Sequence, residues 1–232
     1  AVRLLGRNLE RIGGVDLSPG AGTYPTDLWQ AGEVLADQVV LRVRNSARAP
    51  ARVKVEVRLH ESNPKRPVRV TSSDGSEVSE LVVVDELHLA GRELNAMPQQ
   101  ATQYRFGEAI DLIGYDAPRL IEGQAAITYR LYWRAAHLPT EDYTLFEHVF
   151  DAADVLIGQG DSQPFNGDYP TTWWRVGETL VEERLVSVTT GRVPAGATLT
   201  FGLYQLGDGA RLPVIDAAGQ RVRDDQIRLP VK

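Results

Sequence analysis

One stretch occurs twice in these 232 residues, and it constrains the fold more than any other feature. Gly22-Thr23-Tyr24-Pro25-Thr26-Asp27-Leu28-Trp29-Gln30-Ala31-Gly32-Glu33 returns as Gly167-Asp168-Tyr169-Pro170-Thr171-Thr172-Trp173-Trp174-Arg175-Val176-Gly177-Glu178, at a constant offset of 145 residues. The match reaches back without a gap through Pro19/Pro164, Asp16/Asp161 and Gly13/Gly158 to Ile12/Ile157. It runs forward to Leu35/Leu180 and Val43/Val188. After one residue of slippage, Val53, Val55 and Val57 face Leu199, Phe201 and Leu203, and Pro67 faces Pro213. A period this long, filled with strand-like segments, marks a duplicated domain rather than a solenoid.

Both copies read as β. Residues 52–59, 127–134 and 198–204 alternate apolar with polar side chains, the period of a strand with one buried and one wet face. Further strands are expected at 34–43, 80–89, 110–115, 143–150, 179–188 and 226–231. Turn signals at Ser73-Asp74-Gly75, Gly207-Asp208-Gly209 and Ala218-Gly219 lie between them. Many short strands without an amphipathic helix predict an all-β chain of two related β-sandwich units, immunoglobulin-like or jelly-roll. Helix is expected only as short turns, one just after Pro25 and one just after Pro170.

The domain boundaries follow from the repeat. Residues 1–93 form the first copy, 94–103 a linker without periodicity, and 104–232 the second copy. Residues 104 to about 147 have no counterpart in the first copy, which is therefore expected to be truncated, as in a piece of a longer chain. Its apolar row Val53, Val55, Val57 and Leu59 then needs cover. Leu81-Val82-Val83-Val84 is one local source. The second copy, upstream chain, or self-association through residues 1–93 are the others.

Charge and composition exclude several classes. The net charge of −6 is carried by residues 94–232, with 12 Lys/Arg against 18 Asp/Glu, while 1–93 are balanced at 13 each. Nucleic acid is not the expected partner. Arg42, Arg44, Arg48, Arg52, Lys54, Arg58, Lys65, Arg66 and Arg69 make a local basic stretch, read either as the wet face of a strand or as attraction to an anionic surface. No cysteine is present, which removes disulfides, thiolate metal sites and cysteine nucleophiles. No run approaches the ~18 apolar residues of a membrane span, and no signal peptide is read at the start, so a soluble stretch is expected.

The repeated motif has two readings. In the structural one, Tyr-Pro ends an extended segment, Thr26 and Thr171 cap a short turn, and Gly32 and Gly177 close it in the left-handed region. Trp29 and Trp174 then fold over the core and are mostly buried, with Trp173 more exposed than either. In the functional reading the second copy is a sugar-binding loop. There Phe165, Asn166, Asp168 and Trp173 replace Gly20, Ala21, Thr23 and Leu28, adding aromatic and polar groups beside Tyr169. The candidate ligand-binding residues are Phe165, Asn166, Asp168, Tyr169 and Trp173.

Little else points to chemistry. His60, His88, His137 and His148 lack metal-ligand spacing, and Asp151-Ala152-Ala153-Asp154 lacks the spacing and glycine of a calcium loop, so a hairpin turn is expected there. Adjacent carboxylates such as Glu182-Glu183 or Asp224-Asp225 point to opposite faces of a strand. No phosphate loop, no Gly-x-Ser-x-Gly and no HExxH occur, so neither catalysis by this chain alone nor a cofactor is expected.

Several spaced segments, taken together, resemble a known region. They are 106–116, 127–135 and 142–151, then Gly167-Asp168-Tyr169-Pro170-Thr171 with Trp174 and Gly177-Glu178, then Gly202-Leu203-Tyr204 and Arg211-Leu212-Pro213-Val214. Their order is similar to the β-sandwich region, often in tandem, at the C-terminus of bacterial membrane-embedded glycosyltransferases related to protein mannosyltransferases. The likeness covers nearly all of 104–232 and, less closely, 1–89. Glu147 departs from it, inside an otherwise apolar strand. The resemblance implies an extracytoplasmic accessory module on the parent membrane domain, gripping glycan or polypeptide acceptor. The family's catalytic carboxylates lie in its membrane part, so no catalytic residue carries over. The rival is a structural or protein-interaction module with no small-molecule site.

Overall fold

The computed structural model describes residues 1–61, 66–91 and 97–232, so Lys65 and residues 94–96 of the expected linker lie outside the described residues. Among the described residues fifteen strands appear in the order β1 Val2–Leu5, β2 Arg11–Val15, β3 Ala51–Val57, β4 Val70–Thr71, β5 Glu77–Ser79, β6 Val82–Leu89, β7 Gln100–Phe106, β8 Ile110–Leu120, β9 Ala126–Ala135, β10 Tyr143–Phe150, β11 Leu156–Ser162, β12 Thr179–Ser187, β13 Thr198–Gln205, β14 Val214–Ile215 and β15 Ile227–Pro230. All pairings between them are antiparallel. Helical structure among the described residues is limited to 3-10 turns, including Thr26–Leu28 and Thr171–Trp173 directly after the two prolines. No helix among them is long and apolar enough to cross a membrane. The chain is all-β, and it divides into two compact units, Ala1–Ala90 and Gly91–Lys232.

The second unit is a sandwich of a four-stranded sheet, β11-β10-β13-β15, and a five-stranded sheet, β12-β9-β8-β7-β14. Strand alternation decides which side chains meet between them. On β9 the odd positions Ile127, Tyr129, Leu131 and Trp133 are buried, while Arg130 and Arg134 stay wet. They face Leu145 and Val149 of β10 and Leu199, Phe201 and Leu203 of β13 in one core. Trp133 anchors it, with its ring centroid 5.5 Å from Phe106 and 6.3 Å from Trp174. β7 begins at Gln100, inside the stretch read as linker. Beyond Phe106 and Arg105, which pair with β14, β7 is an open edge with polar residues on both faces, so its sequence carries no alternation.

The first unit has a four-stranded sheet in the order β2-β1-β3-β6. Carried across the repeat offset, this is the order of β11-β10-β13-β15. Besides it, the described residues of this unit form only the small separate β4–β5 ribbon. Its own core is small: Leu4, Ile12, Ala51 and Val53, sealed by Leu41, Ala47, Val55 and Leu89.

Several expectations change here, for one physical reason. Residues 34–42 match β12 but form no strand: β12 is held by its pairing with β9, and residues 34–42 pair with no strand among the described residues. Trp29 is 40% exposed where Trp174 is 1%, and Leu35 is 40% exposed where Leu180 is 1%. Trp29 is thus an exposed residue, and half-buried Trp173 is less exposed than it. The run 82–84 does not cover the sheet; it enters β6, which extends the sheet beside β3, and Val83 and Val84 are exposed. The alternation in β3 also breaks at a bulge after Val55. Glu56 is buried there, paired with Arg58.

Candidate functional site

The repeated motif folds into the same self-contained unit in both copies. Tyr24 Oη donates to Glu33 at 2.9 Å and Tyr169 Oη to Glu178 at 2.9 Å. The indole N–H of Trp29 donates to the Tyr24 carbonyl at 3.3 Å, and that of Trp174 to the Tyr169 carbonyl at 3.2 Å. The same glutamates accept backbone N–H from Gln30 and Arg175 at 3.1 Å. Gly32 and Gly177 close the loop at φ +86° and +80°, the left-handed region where glycine carries no Cβ penalty. The two copies thus build one geometry from the same set of internal hydrogen bonds.

A second carboxylate grips the preceding turn in each copy. Asp37 accepts from the Gly20 N–H at 3.0 Å, and Glu182 accepts from the Phe165 N–H at 2.7 Å. The threonines do not cap. Pro25 and Pro170 occupy the cap positions, and Thr171 is fully buried, donating to the Glu141 carbonyl at 2.6 Å and accepting from the Tyr143 N–H at 3.0 Å. It bolts the motif to the start of β10. Thr171→Val keeps the volume but removes the partner of a part-buried N–H and C=O, and should cost about 1–3 kcal/mol in chemical denaturation. A loss under about 0.5 kcal/mol would show that water takes over those groups.

The five candidate residues separate by placement. Phe165 and Tyr169 are buried, with rings 6.0 Å apart in an edge-to-face pair, so neither face is open to a ligand. Burial and the Glu178 acceptor push the Tyr169 phenol up, and it remains a donor. Asn166 is exposed, Asp168 and Trp173 are half-buried, and Trp173 packs against the core. Phe165 and Asn166 both adopt positive φ, at +56°. The loop is therefore a structural corner that leaves Asn166 and parts of Asp168 and Trp173 at the surface.

Behind this corner lies a buried charge cluster that sequence reasoning missed. Glu147 of β10 and Glu182 of β12 both bind Arg184 of β12, and all three are nearly inaccessible. Glu147 also accepts from Tyr129 Oη and from Arg184 Nε at 3.2 Å; Glu182 accepts from Arg184 Nη1 at 2.9 Å and from Trp133 Nε1 at 3.2 Å. Arg184 Nη2 donates onward to Ser162 Oγ at 2.8 Å. Burial raises Glu182, and Arg184 opposes it. The signal was present in the sequence: Glu182 and Arg184 are two apart, hence on one face of a strand, while Glu147 interrupts an apolar one. Every carboxylate oxygen is engaged within the protein, so the cluster ties β9, β10, β11 and β12 together and offers no vacancy to a substrate.

The open edge at β7 and β15 carries a groove of about 630 Å³, within the range of small-ligand sites. Tyr104, Tyr115, Gln100, Thr102 and Gln226 line it, together with the Arg228–Asp154 ion pair. His148 lies 5.4 Å from Phe146 on the outer face of β10, where burial holds its imidazole low, and no metal-ligating cluster occurs among the described residues. Asp151 turns its carboxylate onto the Ala153 and Val155 N–H groups at 2.8 and 2.9 Å, as a hairpin turn does. In the basic stretch Arg58 pairs with Glu56, Arg52 with Glu86 and Arg69 with Glu77, which favours a solvated strand face. No family model, no curated protein and no solved structure matches the chain.

Proposed function

We propose that this chain is a non-catalytic accessory module that acts by contacting polypeptide. The observation that carries the reading is the pair of matched four-stranded sheets. One is covered by a second sheet; the other leaves Trp29 and Leu35 exposed at the offset counterparts of buried Trp174 and Leu180, and Leu87 exposed opposite Val53 where buried Leu229 stands opposite Leu199. Large apolar side chains exposed in one copy where the other buries them suit recognition by another polypeptide. The resemblance of the motif order to C-terminal regions of bacterial membrane glycosyltransferases supports an extracytoplasmic position, where an acceptor polypeptide or the parent membrane domain is the natural contact. The engaged state of the carboxylates at Asp111, Glu147 and Glu182 supports the absence of catalysis by this chain.

A glycan reading has one observation in its favour, the groove at β7 and β15 that sets Tyr104 and Tyr115 among neutral and charged hydrogen-bonding side chains. One labelled preparation of the chain, applied to a strand-peptide array and a glycan array, separates the two. The expected result is retention on peptides of alternating apolar and polar residues, weakened by Trp29→Ala or Leu87→Lys. Retention on glycans alone, lost in Tyr104→Ala, would overturn the polypeptide reading.

A further inference from the structure

We infer that the groove between β7 and β15 is a binding site for a neutral oligosaccharide. This goes beyond the polypeptide contact proposed from the first unit and does not rest on it, because every residue of the groove belongs to the second unit.

Strand pairing explains why the groove exists. β14 pairs with β7 only at Phe106 and Arg105, so β14 leaves the rim of the five-stranded sheet open from Gln100 to Tyr104. β15 is the rim of the four-stranded sheet. Its Ile227 and Leu229, each 4% exposed, belong to the core and line the groove from that side. Tyr104 stands opposite Leu112 and Tyr115 opposite Leu131, two fully buried residues, so both rings lie on the inner face of their sheet. Each packs against the core and keeps part of its surface open. Rings held in this way lose little freedom when a ligand arrives.

The polar lining divides in two. Its charged groups are matched, Arg228 with Asp154 and Arg223 with Asp224, so the groove holds as many cations as anions. Its neutral groups are unengaged: Gln100, Thr102, Tyr104, Tyr115 and Gln226 make no side-chain hydrogen bond among the described residues. Tyr24, Tyr129, Tyr132, Tyr169 and Tyr204, by contrast, each donate to a carboxylate of the chain. Neutral donors and acceptors are thus gathered beside two anchored rings, without partners of their own, in a space of about 630 Å³.

These features select the ligand. Matched charges give an ionic ligand no free counter-charge. A sugar ring presents an apolar C–H face beside hydroxyls that both donate and accept. Phenol, hydroxyl and amide side chains answer both roles, and the face of a tyrosine ring meets the apolar one. An added polypeptide strand fits less well. The Val231 N–H donates to the Ala197 carbonyl, and ladder bonds alternate, so the amides of Leu229 and Ile227 also face β13. Pro230 has no N–H, which leaves Arg228 as the one outward donor from Ile227 to Pro230.

The probes are neutral hexaoses of glucose, mannose, galactose and N-acetylglucosamine, with a galacturonate hexamer as the acidic control. Each is titrated into the isotope-labelled full chain and followed by NMR, and the alternating peptides of the array form a separate arm. At least one neutral hexaose should give saturable shifts at the amides of Gln100, Thr102, Tyr104, Tyr115 and Gln226. Tyr104→Ala should weaken that binding about tenfold or more. Tyr104→Phe and Gln226→Ala, which leave the core packing in place, should each weaken it about threefold to tenfold with the thermal midpoint unchanged. No saturable shift with any neutral hexaose, or unchanged affinity in both mild variants, would overturn the inference. Shifts centred on Asn166 and Trp173 would give the sugar to the corner and overturn the groove. Binding of the galacturonate alone would overturn the neutral class, and groove shifts from the peptides alone would overturn the saccharide. Retention on the peptide array decides the polypeptide reading separately, whatever the sugars do.

Discussion

Trp174→Ala should destabilise the second unit by about 3–5 kcal/mol, the usual cost of truncating a fully buried large aromatic. Trp29→Ala should cost no more than about 1 kcal/mol, the scale of one net hydrogen bond. The two indoles make the same bond to a tyrosine carbonyl, at 3.2 and 3.3 Å, and follow the same 3-10 turn. What differs is cover. Trp174 is 1% exposed and lies against Trp133, whereas Trp29 is 40% exposed. The comparison therefore isolates the inter-sheet contribution of one side chain from its local one. Denaturant-dependent amide exchange, read at β9 for one variant and β1 for the other, keeps the units apart. Equal losses would mean that the indole acts through its own turn, and that the second sheet contributes little.

The same comparison explains what was legible in the sequence. The duplication, the all-β class and most strands could be read because period-2 patterning and turn residues are local. So could the motif's shape: Tyr-Pro, the turn and the positive-φ glycine use only bonds within twelve residues. Burial of Trp29 and a strand at 34–43 could not be read, since each depends on a partner sheet that a matching local sequence does not supply. The open half of β7 was hidden for the opposite reason: an edge with both faces wet leaves no alternation. Among the candidate residues, Phe165 and Tyr169 looked like ligand platforms because aromatic composition alone cannot tell an outward ring from a corner plug. The Glu147–Arg184–Glu182 cluster escaped because adjacent carboxylates were weighed, whereas residues two apart share a strand face.

That cluster carries the other large expected effect. Arg184→Val should cost about 3–5 kcal/mol, because it leaves buried Glu147 and Glu182 without their shared cation. The first unit shows a cheaper arrangement. Val2 and Val39 stand at the counterparts of Glu147 and Arg184, and Asp37, in the place of Glu182, keeps only the turn-gripping role. Glu147→Val added to Arg184→Val should therefore recover about 1 kcal/mol or more, despite the bond Tyr129 loses. The deficit of the single variant should also depend on pH. Burial raises Glu182 above its ordinary value of 4.5, and Arg184 is the group that lowers it most, so removing Arg184 raises it further. A carboxyl group raised in the folded state binds its proton more tightly there than in the unfolded chain. Its stabilising contribution is complete below the unfolded value and is lost as the pH rises through the folded one. The Arg184→Val deficit should thus be largest at neutral pH and shrink as the pH falls toward 4.5. Urea denaturation at a series of pH values, single against double variant, reads both effects. A deficit unchanged with pH, or a double variant weaker than the single, would show that Arg184 holds the edge of the sandwich by packing its stem and not by neutralising buried charge.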